Sequence, residues 1–200
     1  MHTSSMDKMR AFIDKYLTPE PEKKRRILDI GSQEVHENGC YKPLFATNPN
    51  WEYCGADMVA GNNVDIVLTD PYNWTQIPSN SFDVVISGQA FEHIEFFWIT
   101  MLEISRILKP GGLICIIAPS SGYEHRYPVD CWRFYPDGFR AMATFAKLEP
   151  LEVYTQWEDS PLYNEGTNCW HDSVLIAKKT RAFGLRDRIR MAMVQWSRKL

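Results

Sequence analysis

Acidic side chains close three apolar runs in the first part of the chain. Asp29, Asp57 and Asp70 stand at the ends of these runs, and Gly31 follows Asp29 closely. An apolar run that ends this way is typical of a buried parallel strand opening into a ligand-binding turn. A carboxylate can accept hydrogen bonds from both hydroxyls of a ribose, and a glycine lets a ligand approach the backbone. The pattern predicts a nucleotide-type ligand, with Asp57 at its ribose.

A second stretch, residues 120–136, combines His, Arg, Asp, Trp and Tyr and is long for a connector. Loops of this length in compact domains are usually functional. We expect it to recognise a hydroxylated acceptor and remove its proton, with His125 as the base because histidine titrates near neutral pH. His93 and Asp130 are the alternative bases. The predicted substrate-binding residues are Arg126, Trp132, Arg133 and Tyr135, the two arginines holding an anionic group. The competing interpretation is a structural flap.

The elements that must position these groups follow from periodicity. Five strand-like runs occupy residues 26–32, 53–57, 64–70, 82–88 and 112–119. They predict one parallel sheet with one binding edge, because such sheets place ligands at the carboxyl ends of their strands. Apolar spacing also predicts helices and two late strands. The helices are expected over residues 6–17, 94–108 and 137–145, and the late strands over 148–157 and 170–177.

Several short motifs occur in the order seen in one enzyme family. They are Leu28-Asp29-Ile30-Gly31-Ser32, Asp57, Phe82-Asp83-Val84-Val85-Ile86-Ser87, Phe91-Glu92-His93-Ile94 and Leu108-Lys109-Pro110-Gly111-Gly112. Over roughly residues 25–178 the chain resembles class I S-adenosylmethionine-dependent methyltransferases of the small-molecule branch often called type 11. The family's usual Asp-x-Gly-x-Gly-x-Gly keeps only Gly31 here, followed by Ser32, Gln33, Glu34 and Val35.

The resemblance implies an α/β fold, with a Rossmann-like, seven-stranded, mostly parallel sheet, an antiparallel last strand and helices on both faces. It implies S-adenosyl-L-methionine as cofactor, and Asp70 as an acceptor for the adenine amino group. The residues that it assigns to the cofactor are Asp29, Gly31, Ser32, Asp57, Met58, Asp70, Pro71, Tyr72, Ser87, Gly88 and Gln89. It also implies a methyltransferase domain over residues 1–178.

Metal binding is disfavoured by one substitution. Glu92-His93 is similar to a pair that binds a divalent metal in some quinone-precursor methyltransferases, which carry another acid three residues earlier. Gln89 occupies that position here. The five cysteines contain no C-x-x-C and no zinc spacing. We therefore expect no metal and a reduced, cytoplasmic protein.

Composition excludes further classes of protein. The net charge of −3 gives the chain no overall basic bias towards nucleic acid. No run approaches the ~20 apolar residues of a membrane span, and we expect no signal peptide because the first residues contain no long apolar run. A nicotinamide oxidoreductase would need G-x-G-x-x-G after the first strand, which the residues after Gly31 do not supply.

Residues 179–200 are predicted to form a separate basic amphipathic helix. Leu185, Ile189, Ala192, Met193, Trp196 and Leu200 share one helical face, and arginines accompany them. We expect this face to pack on the protein body or a second subunit, forming a homodimer in the latter case. Peripheral contact with an anionic membrane is the alternative.

The predicted activity is O-methylation of a small-molecule acceptor, most simply a sugar, nucleotide-sugar or glycan precursor. A sugar fits the polar-aromatic composition of residues 120–136. A non-catalytic methyltransferase-like module that binds a partner enzyme is the alternative. The missing glycines favour the module, and the acids at 29, 57 and 70 oppose it.

Overall fold

The structure, a computed structural model, describes residues 2–35 and 39–198. Within these residues seven strands form one sheet in the order β3-β2-β1-β4-β5-β7-β6. The strands are β1 (Arg25–Ile30), β2 (Trp51–Asp57), β3 (Ile66–Val67), β4 (Phe82–Gly88), β5 (Leu108–Ala118), β6 (Glu149–Thr155) and β7 (Ser173–Lys178). The helices are α1 (Thr3–Tyr16), α2 (Lys42–Phe45), α3 (Phe97–Ile107), α4 (Pro136–Phe145), α5 (Glu165–Asn168) and α6 (Leu185–Ser197).

The register of the central strands brings their carboxyl ends together. Ile30 of β1 pairs with Ala56 of β2, and Gly88 of β4 pairs with Ile117 of β5. The first five strands are parallel, and β7 inserts antiparallel between β5 and β6. The predicted fold class is confirmed. The loops after β1, β2, β4 and β5 and the residues before β7 therefore meet at one edge of the sheet, as a shared binding edge requires.

Two apolar layers cover the sheet because its inner strands are apolar on both faces. One layer packs α3 and α4 against residues such as Leu28, Val85 and Ile114. The other packs α1 and α2 against residues such as Ile27 and Ile86. No helix among the described residues combines the length and apolar character needed to cross a bilayer.

Three boundaries differ clearly from those expected. The third strand has two residues, and a 3-10 turn (Phe91–His93) precedes α3. Helix α3 ends at Ile107, one residue before the expected end, and Leu108 to Gly112 then starts β5 rather than a free turn. Gly111 makes this possible with a φ of +84°, and its N–H donates to the Lys179 carbonyl. Part of the polar stretch after β1, including His36 and Asn38, lies outside the described residues.

Candidate functional site

Asp57 lies at the end of β2 and faces the loop after β1. Its Oδ2 accepts the Gln33 N–H at 3.1 Å, and its Oδ1 accepts the N–H groups of Met58 at 2.7 Å and Val59 at 3.3 Å. A carboxylate offers about four acceptor positions. Asp57 therefore joins the two loops and keeps acceptor capacity for a ligand hydroxyl, while the Met58 side chain is exposed beside it.

Asp29 belongs to a buried network beneath that loop. The Tyr53 hydroxyl donates to its Oδ2 at 2.6 Å, and Asn63 Nδ2 donates to the Tyr53 oxygen at 2.9 Å. Burial raises the pKa of Asp29 to about 7. Ser32 is also buried and donates to the Asn63 carbonyl at 2.8 Å. Asp29 and Ser32 thus fix the loop from below, so for Ser32 the structure favours a positioning role over the predicted cofactor contact.

Gly31 adopts a φ of +75°, the left-handed conformation that glycine tolerates. A Cβ at this position would collide with the Ala90 side chain. Gly31 therefore allows the ends of β1 and β4 to approach closely. This close approach is a physical reason for a glycine at position 31, the one glycine of the Asp-x-Gly-x-Gly-x-Gly motif that the chain has.

The end of β4 is tightly packed. Ser87 is buried and donates to the Ile30 carbonyl at 2.8 Å, so its hydroxyl links β4 to β1. The Tyr41 ring covers Gly88 and leaves no room for a side chain there. Gln89, at a φ of +55°, donates to Asp172 Oδ1 at 3.0 Å. Ser87, Gly88 and Gln89 all lie at the expected edge. The Ser87 hydroxyl, however, is used in a hydrogen bond between two strands of the sheet.

Asp70 pairs with the last turn of the C-terminal helix. Arg198 donates to its two oxygens at 3.1 and 2.7 Å, and the guanidinium lies 4.7 Å from the centroid of the Tyr72 ring. The Pro71 carbonyl accepts from Trp74 Nε1 and Thr100 Oγ1. The predicted adenine-binding segment is therefore in contact with α6, a contact that nothing in the sequence pattern indicates.

The predicted bases converge beside the 3-10 turn. The His93 and His125 ring centroids are 4.8 Å apart, and His125 Nδ1 lies 3.5 Å from Asp130 Oδ2. His93 Nδ1 lies 2.6 Å from the Val129 carbonyl, so it must be the protonated nitrogen. Residues 120–136 are clamped onto this turn, because the N–H groups of Cys131 and Trp132 donate to the Glu92 carbonyl. The structure thus brings together the three predicted bases, His93, His125 and Asp130.

The roles of Asp130 and Arg133 must be revised. Arg133 donates to the Asp130 oxygens at 2.6 and 2.9 Å and also to the Tyr123 and Trp132 carbonyls. These hydrogen bonds lower the pKa of Asp130 to about 2, so the carboxylate is too weak a base for the alternative role predicted. The Arg133 guanidinium is engaged inside the loop, which makes it a positioning group rather than an anion-binding one.

The other predicted substrate residues line the outside of the same loop. Arg126 is exposed and pairs with Glu124 at 2.9 Å. Trp132 Nε1 donates to the Ile94 and Glu95 carbonyls, and the exposed Tyr135 ring stacks on Trp157 at 5.9 Å. Arg126 and Tyr135 are accessible to an acceptor, whereas the indole N–H of Trp132 holds the loop in place.

Two residues of this edge were missed by the sequence reasoning. Trp170 packs against His125, with ring centroids 4.7 Å apart, and a Cβ on Gly122 would strike its ring. Asp172 accepts hydrogen bonds from Ser4 at 2.6 Å and Gln89, and Lys8 lies 3.8 Å away. Helix α1 is thereby tied to the end of β4. The position of Trp170 and Asp172 just before an apolar run is the only sequence signal that could have indicated them.

Glu92 is fully buried, and neither of its side-chain oxygens has a hydrogen-bond partner. Its Oε1 lies 3.7 Å from His93 Nε2, and ligand atoms of Glu92, His93 and His125 lie within 4.8 Å of one another, so the set could hold a metal ion. Burial raises the pKa of Glu92 to about 8. A bound cation would lower this pKa again, so the expected absence of a metal stays a prediction.

We expect Glu92→Gln to stabilise the protein at pH 8 but not at pH 5. Between its usual pKa of 4.5 and about 8, folded Glu92 keeps a proton that the unfolded chain has lost. The free energy of unfolding then falls as pH rises through this range. Removing the titration should add on the order of 4 kcal/mol at pH 8, because the pKa is raised by about 3.5 and each unit corresponds to ~1.4 kcal/mol, measured by urea unfolding at both pH values. Glu124→Gln, on an exposed carboxylate, is the matched control.

The metal question is answered by the same unfolding measurement. A ligand that binds the folded state stabilises it by mass action. If Zn²⁺ raised the urea midpoint of the wild type but not that of Glu92→Gln, both the neutral Glu92 carboxyl and the expected absence of a metal would be contradicted.

A cleft of about 680 Å³ lies at the opposite edge of the sheet, near the start of β2. Its walls include Ile13, Pro43, Asn48 and Trp51. None of the predicted catalytic groups reaches it, and the chemistry described above belongs to the strand-end edge.

Comparison with known proteins agrees with this architecture. Residues 46–116 match the family described as Methyltransferase domain. No curated protein matches the chain. Three solved structures illustrate its similarity in fold.

The first is 1,6-didemethyltoxoflavin-N1-methyltransferase of Burkholderia thailandensis, crystallised with S-adenosylhomocysteine; it is 15% identical, with a TM-score of 0.67, and the match covers 89% of this chain and 79% of that one. The second is a SAM-dependent methyltransferase of Archaeoglobus fulgidus. It is 18% identical, with a TM-score of 0.60, and the match covers 88% of this chain and 95% of that one. The third is the [4+2]-cyclase SpnF. It is 14% identical, with a TM-score of 0.64, and the match covers 89% of this chain and 82% of that one. At these identities the similarity concerns the fold.

Proposed function

We propose that this protein is a class I S-adenosylmethionine-dependent methyltransferase and that it methylates a hydroxyl oxygen of a sugar or glycan precursor; the match of residues 46–116 and the similarity in fold support the first part. The observation that carries the proposal is the position of His125. It lies against Trp170 and beside Asp130, and 35% of its side chain is accessible. Exposed aromatic rings lie nearby: the Tyr123 ring centroid is 6.4 Å from that of His125, and the Tyr127 ring centroid is 6.4 Å from that of His93. Aromatic faces can cover the apolar face of a sugar ring while its hydroxyls reach polar groups.

The cofactor of this class supplies an electrophilic methyl group on a sulfonium sulfur. Two features of the strand-end edge fit it. Asp57 keeps acceptor capacity for ribose hydroxyls, and Gly31 keeps the turn after β1 free of a side chain. Asp70 retains the position expected for adenine, although Arg198 is its partner. Asp57 is therefore the residue that we assign to the cofactor most directly.

The chain's own residues would contribute orientation and proton transfer. His125 would take the hydroxyl proton of the acceptor while the acceptor oxygen receives the methyl group that the cofactor supplies. The Asp130 carboxylate, ionised because Arg133 holds it, then stabilises the imidazolium. Fixing an acceptor in line can contribute ~7–11 kcal/mol to lowering the barrier. Trp170 and the clamped loop restrict how the acceptor can lie.

The interaction-module alternative also has structural support. Tyr41 packs over Gly88, and Arg198 occupies one side of Asp70. Both side chains lie at strand ends where the family places its cofactor. Cofactor binding therefore separates the two functions before any acceptor is known.

We expect calorimetry to detect micromolar binding of S-adenosylhomocysteine, and Asp57→Asn to weaken it about ten- to hundredfold. Hydrogen bonds to a charged group contribute ~1.5–3 kcal/mol, and tenfold corresponds to ~1.4 kcal/mol. Asp137→Asn removes an equally charged but exposed carboxylate and should leave binding unchanged. Transfer of labelled methyl from the cofactor to a panel of sugars and nucleotide-sugars then tests the acceptor. Absence of cofactor binding by the wild type would favour the module.

A further inference from the structure

The apolar face of α6 points away from the protein. Leu185, Ile189, Met193 and Trp196 are 74%, 49%, 59% and 61% exposed. These residues, the apolar stripe of α6, recur at the spacing of one helical face. The expectation that this face packs on the protein body is therefore wrong, because the body contacts the opposite face.

The opposite face is anchored by specific contacts. Met191 is buried, and Gln195 donates to the Tyr72 carbonyl at 2.9 Å and to Glu103 Oε1 at 3.0 Å. Arg190 donates to the Phe145 carbonyl at 2.8 Å and lies 4.2 Å from its ring centroid. Together with the Arg198–Asp70 pair, these contacts fix the rotation of α6. The apolar stripe is consequently a fixed outward surface of the folded protein.

Arginines flank the stripe on both sides. At 100° per residue, Arg186 lies on one flank and Arg188 on the other, and both are exposed. Residues 178–198 contain seven lysines and arginines and a single acid, Asp187, in a chain whose net charge is −3. Of these cations, Arg186 and Arg188 are exposed beside the stripe, whereas Lys179 is buried and Arg190 and Arg198 contact the protein body.

This charge pattern selects the partner. A second copy meeting the stripe across a two-fold axis would place the flanking arginines of both copies close together, and like charges repel. An anionic lipid surface instead offers an apolar layer for the stripe and phosphates for both flanks. Helices with an apolar face bordered by Lys or Arg lie in the plane of such surfaces, and Trp196 is suited to the headgroup level.

We propose that α6 binds the surface of anionic lipid bilayers through Leu185, Ile189, Met193 and Trp196, with Arg186 and Arg188 on the phosphates. The proposal is independent of the methyl acceptor, because binding requires neither cofactor nor acceptor. If the enzyme acts on sugars, the class of acceptor that this surface would favour is a lipid-linked one.

The test is co-sedimentation of the full chain with vesicles of phosphatidylcholine alone or mixed with phosphatidylserine. We expect binding only to the mixed vesicles. Arg186→Gln with Arg188→Gln should weaken it roughly ten- to thirtyfold, since each cation contributes about 1 kcal/mol near such a surface. Ile189→Glu should abolish it. Leu162→Glu, on an exposed leucine outside α6, is the matched control and should bind as the wild type does.

Two results would overturn the proposal. One is equal sedimentation of the wild type and Ile189→Glu. The other is a wild type that sediments with neither kind of vesicle and forms a dimer in light scattering, while Ile189→Glu is a monomer. That result would assign the stripe to contact with a second copy. The substituted positions are exposed, so circular dichroism should show unchanged folding. Calorimetry of S-adenosylhomocysteine binding to Ile189→Glu tests the proposed methyltransferase function separately, because cofactor binding does not depend on the apolar stripe.

Discussion

His125→Asn is expected to lower kcat for the true acceptor by about 10²–10⁴-fold, the range typical of losing a positioned base. Asn keeps a polar side chain of similar reach but cannot accept the hydroxyl proton. Since His125 lies in the loop after β5 and Asp57 at the end of β2, the affinity for S-adenosylhomocysteine should stay the same. Single-turnover methyl transfer measures the first quantity, and calorimetry measures the second.

His93→Asn discriminates between the two histidines of the cluster. His93 Nδ1 is held by the Val129 carbonyl, and burial lowers the pKa of the ring, so its proton affinity is reduced. We therefore assign it the smaller effect. A larger loss in His93→Asn than in His125→Asn would move the base to His93. Full turnover in both variants would remove the base from the mechanism altogether.

Arg106→Met is expected to destabilise the protein by about 3–5 kcal/mol, the usual cost of leaving one partner of a buried ion pair uncompensated. Arg106 donates to Glu103 at 2.7 Å and also to the Trp74 and Ile77 carbonyls. The Glu103 side chain is 1% exposed. It accepts hydrogen bonds from the Trp74 N–H and from Gln195 of α6, so an unpaired carboxylate would disturb several elements at once.

Arg140→Met provides the matched comparison for Arg106→Met. Arg140 and Asp137 form a pair with the same i,i+3 spacing, but both side chains are exposed. Exposed pairs contribute at most about 1 kcal/mol. Urea unfolding followed by circular dichroism should therefore separate the two variants clearly. Equal small losses would show that Glu103 is not confined to a dry environment.

Local pattern predicted the sheet well because each parallel strand carries its own signal. The apolar runs that end at Asp29, Asp57 and Gly88 are read from neighbouring residues, and their common edge follows from the geometry of parallel strands. The cluster of His93 and His125 was predictable for the same reason, since each follows a strand end.

Loop conformation and long-range contacts account for what the sequence pattern did not predict. The engagement of Arg133 by Asp130 depends on how a loop folds on itself, and both pairing partners looked equally suited to a ligand. The outward rotation of α6 depends on contacts of Gln195 and Arg198 with residues more than a hundred positions away. Periodicity identifies the apolar face of a helix, but it does not tell which face of the helix packs on the rest of the protein.

The hydrogen bond between Ser4 and Asp172 joins residues separated by 168 positions. Such a contact can form only after the intervening chain has lost the entropy of closing a very long loop, and contacts of this kind slow folding. The sheet order adds to the effect, because β7 enters between β5 and β6 after both have been synthesised. We therefore expect the edge that carries Gln89, Trp170 and Asp172 to form late in folding.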